Sequence, residues 1–262
     1  MKIREITKYI EEIAPLSYQE EYDNCGLLVG RKDDHIDAIL VTLDCTEAVI
    51  DEAIEAGCNL IIAHHPIIFS GIKKLNGSNY IERAIIKAIK NNIAIYSLHT
   101  NLDNIFNGVS YKIANKLGLV NCKILAPKNE HINVNLGSGI IGDLVESVPS
   151  KIFLKRLKSI MQTDCIRYTA LVKDTVKKIA VCGGSGSFLL NHVRNSDVDL
   201  YISADFKYHE FFDADNQFII ADIGHYESEQ FTKDLIFDLL TKKFTKFAVQ
   251  LSQVNTNPIK YL

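Results

Sequence analysis

The sequence has no marked excess of one charge sign, no long apolar run and no closely spaced cysteine pair. It contains 29 Lys and Arg against 32 Asp and Glu, for a formal net charge of −3, which excludes the basic surface typical of nucleic-acid-binding proteins. No apolar run reaches the roughly 18 residues that a membrane-spanning helix requires. The first residues, MKIREITKYIEEI, lack the apolar centre of a signal peptide. We therefore expect a cytoplasmic protein without a nucleic-acid or membrane partner.

The six cysteines are too widely spaced for a CxxC motif, a zinc ribbon or a redox motif. Without a secretory signal they should stay reduced, and we expect most of them to be buried as small apolar residues. A metal site in this chain must then be built from histidines and carboxylates. The remaining composition, 47% hydrophobic over 262 residues, is ordinary for one large or two modest globular domains.

The first 120 residues alternate strand-like and helix-like patterns. The predicted strands are Ile36–Thr42, Leu60–Ala63 and Ile93–Leu98, and the predicted helices follow Thr46 or span Asn79–Lys90 and Val109–Leu117. Such alternation with apolar strands predicts an α/β fold with a parallel sheet that is covered on both faces. Residues 121–150 are rich in Gly, Pro and Asn, and we interpret them as a crossing between two lobes that includes a strand over His131–Leu136.

The second half resumes the alternation. Its predicted elements are a helix over Lys151–Met161, strands over Ile166–Val172, Lys178–Val181, Asp199–Ser203 and Phe218–Asp222, a helix over Tyr226–Lys243 and a strand over Phe247–Ser252. We predict a first lobe over residues 1–125 and a second over 126–262. The C-terminal part of the second lobe should pack back on the first and supply metal ligands.

The strongest local motif is His64-His65-Pro66, directly after the predicted strand Leu60–Ala63. Ligands of open parallel sheets bind beyond the carboxyl ends of the strands. Neutral imidazole is the commonest protein metal ligand, and two adjacent histidines can reach two different ions. The alternative is a loop with one buried, hydrogen-bonded histidine.

Two further motifs also follow predicted strands. His99 and Asp103 lie after Ile93–Leu98, although Asp103 could simply cap the next helix. His225 and Glu229 lie after Phe218–Asp222, and their spacing of four places them on one face of a helix. One crevice could therefore hold all three motifs.

Three imidazoles and two carboxylates suit zinc, manganese, iron or cobalt better than calcium. Five protein ligands suffice for two ions if one carboxylate bridges them, and two ions favour hydrolytic chemistry with an activated water as nucleophile. The absence of a thiolate argues against a closed structural zinc site. His99 is a further candidate for proton transfer, or a buried and satisfied histidine.

A glycine-rich segment, Gly183-Gly184-Ser185-Gly186, follows a predicted strand and opens a helix. Backbone N–H groups at such a point can cradle phosphate. The segment lacks the Lys-Ser/Thr ending of a P-loop and does not fit GxGxxG. We favour a tight turn from strand to helix over a phosphate site.

Five spaced motifs together resemble the Nif-three-like dinuclear metal-centre family, whose members are often labelled GTP cyclohydrolase type-two homologues. They are DNCGLLVG from Asp23, AHHPIIF from Ala63, HTNLD from His99, VCGGSG from Val181 and GHYESE from Gly224. The resemblance runs nearly end to end, to NPIKYL at the C-terminus. The chain looks like the short form, because it has no large central insertion.

The resemblance implies two divalent metal ions. It implies His65 and Asp103 on one ion, His64 and His225 on the other, and Glu229 as the bridge. It also implies two similar three-layer α/β lobes with mostly parallel sheets and the dinuclear site between them, so that both lobes are needed for one site. A ring-shaped homohexamer is implied as well.

Two positions depart from the family pattern. Ile140 stands where an arginine is usual, which puts in doubt a role for the loop Gly137–Leu144 in holding an anionic substrate. Ser203-Ala204-Asp205 stands where Thr-Gly-Asp or Thr-Gly-Glu is usual. Neither change touches a metal ligand that the resemblance implies.

The family label implies a nucleotide substrate, with the opening of the guanine ring of GTP as the named reaction. Metal-activated water would attack C8 of guanine while a nearby histidine moves protons. The sequence contains no guanine-specific motif of its own. The alternative is a non-enzymatic metal-binding or regulatory interaction protein, since the family name derives from a protein–protein interaction.

Overall fold

The computed structural model describes residues 1–129 and 133–262 and confirms the predicted α/β class. The α-helices are α1 (Ile3–Ile13), α2 (Glu47–Glu55), α3 (Tyr80–Lys90), α4 (Thr100–Asp103), α5 (Val109–Lys116), α6 (Ser150–Ile160), α7 (Leu190–Arg194), α8 (His225–Glu229) and α9 (Thr232–Lys243). The strands are β1 (Gly26–Val29), β2 (Ala38–Thr42), β3 (Leu60–Ala63), β4 (Ala94–Ser97), β5 (Val120–Asn129), β6 (Asn133–Pro149), β7 (Arg167–Tyr168), β8 (Thr175–Ser185), β9 (Leu200–Ala204), β10 (Ile219–Asp222) and β11 (Ala248–Leu251). Short 3-10 helices span Leu16–Tyr18, Ser187–Leu189 and Tyr208–Ala214.

The chain divides into two compact units. Unit 1 comprises Met1–Leu102 and Thr232–Pro258, and unit 2 comprises Asp103–Phe231 and Ile259–Leu262. The predicted boundary between residues 125 and 126 lies inside β5, which is hydrogen-bonded to β6 along most of its length. A cut there would break one continuous strand pairing, and the structure divides at Leu102 instead.

In unit 1, the described strands form a sheet in the order β1-β4-β3-β2-β11. The pairs β4–β3, β3–β2 and β2–β11 are parallel, and only the edge strand β1 pairs antiparallel. Every residue of β2, β3 and β4 is buried. These strands read as continuous apolar runs because both of their faces are covered.

In unit 2, the described strands form a sheet in the order β5-β6-β8-β9-β10-β7. Only β8–β9 and β9–β10 are parallel, so the predicted mostly parallel sheet is correct for unit 1 and wrong for unit 2. Alternate residues of β8 enter different core clusters: Ile179 and Val181 join one, and Ala180 and Cys182 the other. This alternation covers both faces of the sheet.

The sheet of unit 2 has more antiparallel pairs than predicted because the segment predicted as a crossing between lobes forms two of its strands. Instead of crossing, β5 and β6 form a long antiparallel pair in which Ala126 faces Ser138. Gly137 has a φ of +156°, and a Cβ atom there would overlap the backbone of Ala126 and Pro127. The glycine at this position therefore allows the backbones of β5 and β6 to approach each other closely. Of the strand predicted at 131–136, residues 131 and 132 lie outside the described residues.

Two elements of the second half are shorter than predicted. The strand predicted over Ile166–Val172 is only the two residues of β7, and the helix predicted over Tyr226–Lys243 is divided into α8 and α9. Ser228 Oγ donates a hydrogen bond to the His225 carbonyl oxygen at 2.8 Å. Such bonds from a serine to the preceding turn bend helices. Among the described helices, none has the length and apolarity that crossing a bilayer would demand.

Candidate metal centre

In unit 1, the paired histidines follow β3 at the carboxyl edge of the sheet, as predicted. The strand register sets Ala63 beside Ser97 of β4, so the residues that follow the two strands emerge side by side. The His65 N–H donates to the Leu43 carbonyl oxygen at 3.0 Å. The His64 carbonyl oxygen accepts from Ser97 Oγ at 2.8 Å. Both histidines are therefore fixed by backbone contacts to neighbouring strands.

His64, His65 and His99 form one group in this unit. Their ring centroids are 4.8 Å, 5.3 Å and 5.5 Å apart. Each ring offers a nitrogen that lies within 4.8 Å of the nitrogens offered by the other two, which is compatible with a shared metal ion. His64 is fully buried, and the His65 and His99 side chains are 23% and 16% exposed. The sequence predicted for His99 either a proton-transfer role or a buried, satisfied state and did not include it among the metal ligands, yet its ring lies about as close to the other two as they lie to each other.

The Nδ1 atoms of these rings are all bound to oxygen acceptors. His64 Nδ1 is 2.7 Å from the Leu98 carbonyl oxygen, and His65 Nδ1 is 2.7 Å from Asp44 Oδ1. A carbonyl oxygen only accepts, so the hydrogen of neutral His64 must be on Nδ1. The lone pair is then on Nε2. An acceptor on the other ring nitrogen is the arrangement typical of metal-binding histidines, because it fixes the tautomer and raises ligand basicity.

His99 is held by Asp23, whose side chain is fully buried. Its Nδ1 donates to Asp23 Oδ1 at 2.8 Å, and Thr100 donates to the same carboxylate from its backbone N–H and its hydroxyl group. Burial alone would raise the pKa of Asp23, but the hydrogen bonds from His99 and Thr100 hold that pKa far below its usual range. Asp23 is therefore a carboxylate at neutral pH, with its charge directed at His99.

In unit 2, His225 lies between two carboxylates. Its Nδ1 is 2.6 Å from Asp205 Oδ2, and its Nε2 is 3.0 Å from Glu229 Oε2. Asp205 directly follows β9, and His225 follows its parallel neighbour β10, so both are at the carboxyl edge of this sheet. The predicted helical face shared by His225 and Glu229 is confirmed.

The two carboxylates beside His225 favour the positively charged form of its imidazole ring. Burial alone would lower the pKa of His225, but the charge of Glu229 and the hydrogen bonds to Asp205 and Glu229 raise it to about 11. The Glu229 residue is only 3% exposed. A buried carboxylate beside an imidazole is compatible with a divalent cation, which supplies the positive charge that the carboxylates require.

Gly184 allows Glu229 to take this position. It has a φ of +63°, and a Cβ atom there would overlap Glu229 Oε1 and lie 3.3 Å from His225 Cε1. Its N–H donates to Ser228 Oγ at 2.9 Å. The predicted tight turn is wrong over Gly183–Ser185, which are the last residues of β8, and a 3-10 helix follows from Ser187. The missing side chain of Gly184 leaves room for a candidate ligand. Sequence reasoning missed this role.

Asp103, at the end of α4, is half-buried. Burial and then the charges of Asp103 and Glu229 raise the pKa of Cys182 to about 12. Both carboxylates therefore lie near the same thiol in unit 2. Cys182 itself is buried in a core cluster, where it packs as a small apolar residue.

Three carboxylates that orient histidines were not identified from the sequence. Asp44 accepts from His65, Asp23 from His99, and Asp205 from His225. Burial alone would raise the pKa of Asp44, but its hydrogen bond with His65 lowers that pKa below its usual value. Asp23 and Asp205 belong to motifs that we quoted. Only the folded chain pairs each aspartate with its histidine.

The two residues that depart from the family pattern, Ile140 and Ala204, are both buried. Ile140 is 1% exposed, pairs with Ile124 and Val181, and belongs to a core cluster of unit 2. The Ile140 side chain is therefore inside the core of unit 2, where it cannot contact an anionic ligand. Ala204 is fully buried at the end of β9, directly before Asp205.

The donor set fits divalent metal ions of the zinc, manganese, iron and cobalt type. In unit 1 the available donors are the imidazole nitrogens of His64, His65 and His99. In unit 2 they are the imidazole of His225 and the carboxylate of Glu229. Softer ions would require thiolates. All six cysteines lie in the described residues as free thiols, and the three buried ones, Cys45, Cys58 and Cys182, are protonated because burial raises their pKa.

Comparison with known proteins shows the family of this chain. A family model described as Duf34/NIF3 (NGG1p interacting factor 3) matches residues 1–258. A protein of Clostridium acetobutylicum named GTP cyclohydrolase 1 type 2 homolog is 35% identical over all of this chain and 99% of its own. A Campylobacter jejuni protein of the same name is 34% identical over the whole of both chains. The crystal structure of a Bacillus cereus protein related to NIF3 superposes with a TM-score of 0.92 at 26% identity, covering 100% of this chain and 99% of that one. The chain therefore belongs to the Duf34/NIF3 family.

Proposed function

We propose that this protein binds two divalent metal ions and acts as a metal-dependent hydrolase on a nucleotide, with the ring opening of GTP as the candidate reaction. One observation carries the proposal. His64, His65 and His225, which the family resemblance implies as ligands, each bind an oxygen acceptor through Nδ1. This pattern directs Nε2 toward a ligand, and it is typical of metal sites.

The proposed assignment uses five residues. His65 and Asp103 would bind one ion, His64 and His225 the other, and Glu229 would bridge them. The mixed nitrogen and oxygen donors would accept zinc, manganese, iron or cobalt. Zinc and manganese are the first metals to test, because both tolerate this donor set and are easily quantified.

When bound, the two ions would supply Lewis acidity and lower the pKa of a water molecule toward neutrality. The chain supplies the proton transfer. His99 is held through Nδ1 by the buried Asp23 carboxylate, so its Nε2 can take a proton from one group and return it to another. The Asp23 charge stabilises the imidazolium that forms during this exchange.

The substrate class rests on the relatives. The Clostridium and Campylobacter proteins carry the name GTP cyclohydrolase 1 type 2 homolog, and we extend that name to a nucleotide substrate here. We also propose a homohexamer. Light scattering coupled to size exclusion should then give six times the mass of one chain, and a monomer mass would contradict this part of the proposal.

The central experiment joins metal analysis to a substrate screen. The wild-type protein should hold two ions per chain after loading with Zn²⁺ or Mn²⁺. Glu229→Gln and His65→Ala should each hold fewer ions at unchanged circular dichroism. His192→Ala is the matched control, because His192 is exposed on α7. The screen covers GTP, other nucleotides and simple phosphoesters.

Two outcomes would contradict the proposal. Full metal occupancy in both E229Q and H65A would show that the ligand assignment is wrong. Two tightly bound ions without turnover of any nucleotide or phosphoester, with each of the four metals, would favour the alternative of a non-enzymatic metal-binding or interaction protein.

A further inference from the structure

Two exposed aromatic residues lie beside the histidine group of unit 1. Tyr22 is 66% exposed and Phe69 is 50% exposed. Their ring centroids are 6.2 Å apart with the planes tilted by 36°. The Phe69 ring is also 6.1 Å from the His99 ring, at 73°. An aromatic surface therefore adjoins the histidine that we assign to proton transfer.

The Asp23-Asn24 dipeptide fixes the position of this aromatic surface relative to His99. Asp23 Oδ1 accepts the hydrogen bond from His99 Nδ1 at 2.8 Å. The adjacent Asn24 donates from Nδ2 to the Ile68 carbonyl oxygen at 2.6 Å, which fixes the residue directly before Phe69. Tyr22 directly precedes Asp23 in the chain. The same two side chains therefore position both the histidine and the aromatic pair.

The Tyr22 and Phe69 rings are close enough to present a continuous π surface to solvent. A planar heteroaromatic ring can stack on such a surface without sequence-specific hydrogen bonds. An aliphatic or purely anionic ligand gains nothing comparable from it. The Phe69 ring lies 6.1 Å from the His99 ring, so a ring stacked here would be held beside the proposed chemistry.

We propose that Tyr22 and Phe69 form the platform that binds the planar heteroaromatic ring of the substrate, of nucleobase type, beside His99. The proposal deepens the function proposed above and rests on it for the identity of the ligand. The two residues would determine specificity by stacking on the ring and would take no part in proton transfer.

The test separates ring binding from turnover. The probes are guanosine and adenosine, which carry the ring without phosphate, and inorganic triphosphate, which carries phosphate without the ring. Binding to the metal-loaded protein is measured by calorimetry for the wild type, Tyr22→Leu and Phe69→Leu. Tyr80→Leu is the matched control, because Tyr80 is 60% exposed in the same unit at the start of α3.

We expect Y22L and F69L to weaken nucleoside binding by roughly 5- to 100-fold, the loss that corresponds to one stacked base. Triphosphate binding should be unchanged, and Y80L should match the wild type. Because the chain contains no tryptophan, Phe69→Trp adds a single tryptophan whose fluorescence can be excited selectively. This variant should retain binding and show quenching on addition of guanosine.

The outcomes distinguish this inference from the proposed function. Wild-type protein that binds neither nucleoside, or Y22L and F69L that bind both as tightly as Y80L does, would overturn the platform. If GTP is turned over with an unchanged KM in both variants, the platform is wrong while the proposed function stands. If nucleosides bind and the variants lose that binding, but no nucleotide is turned over, the platform stands and the hydrolase function fails.

Discussion

Asp205 Oδ2 accepts a hydrogen bond from His225 Nδ1 over 2.6 Å, and this contact joins the ends of two parallel strands of unit 2. Asp205 adopts a left-handed backbone conformation with a φ of +60°. Aspartate tolerates this conformation better than most residues. The strand end therefore turns so that the carboxylate meets the imidazole, and the histidine presents Nε2 to Glu229.

Removing the charge of Asp205 should weaken metal binding without unfolding the protein. We expect Asp205→Asn to lower the affinity for Zn²⁺ or Mn²⁺ by roughly 10- to 100-fold, the range typical for partners of metal-binding histidines. Calorimetric titration with each metal measures the change. Asp213→Asn is the control, because Asp213 is exposed on the 3-10 helix that follows β9. An equal loss in both variants would argue for a general charge effect instead.

Adding one methyl group at Gly184 should disturb Glu229 directly. Gly118 has a similar φ of +72°, but a Cβ atom there would meet nothing within 4 Å. Gly118→Ala should therefore cost only the backbone strain, roughly 1–2 kcal/mol in the free energy of unfolding. Gly184→Ala should cost more than Gly118→Ala and also reduce the number of bound ions. Urea unfolding and metal analysis measure the two effects, and equal behaviour of the variants would refute the steric role of Gly184.

The stability contributed by Glu82 should depend on pH. Backbone hydrogen bonds from Asn76 and Ser78 lower the pKa of Glu82 below its ordinary value of 4.5. Because the folded state favours the charged form, this stabilisation is present above pH 4.5 and is lost as the pH falls through the lowered pKa. The difference in free energy of unfolding between wild type and Glu82→Gln should be largest near pH 7 and shrink below pH 4.5.

Urea unfolding at several pH values tests this expectation. Glu55→Gln, at an exposed position of α2, is the control and should change the free energy much less. A wild-type to E82Q difference that grows as the pH falls would contradict the sign that we assign.

One cysteine should account for the fast thiol reactivity of the native protein. Cys165 is exposed, whereas Cys45 is buried and its pKa is raised to about 12, first by burial and then by the charge of Asp44. The Cys45 thiol is therefore protonated at pH 8, and the thiolate is the reactive form. Titration with a disulfide reagent should show one fast thiol, and Cys165→Ser should remove it. A fast phase that persists in C165S would contradict this assignment.

Local patterns in the sequence were sufficient for the central strands of unit 1. The largely apolar runs of β2, β3 and β4 predicted buried parallel strands, because a sheet that is covered on both faces uses such residues on both sides of its strands. The histidines after β3 and β10 were placed correctly at the carboxyl edges for the same reason. Helix periodicity likewise placed His225 and Glu229 on one face, and the structure brings them to 3.0 Å.

Contacts between distant segments could not be predicted in this way. Residues 121–150 carry turn-like composition, yet the described residues 121–129 and 133–149 belong to the paired strands β5 and β6, because glycine also permits close approach of two backbones. Asp23 is 76 positions from His99 in the sequence, and Asp44 is 21 positions from His65. No local pattern signals such pairs.

The sequence by itself thus determined the α/β class, the strand ends that carry the histidines and the residue types available to a metal. Only the tertiary structure decided which aspartate orients which histidine, and that Gly184 leaves room for Glu229. The physical reason is the range of the interactions. Hydrophobic periodicity is a property of neighbouring residues, whereas hydrogen-bond partners and steric clearances depend on how separate segments pack.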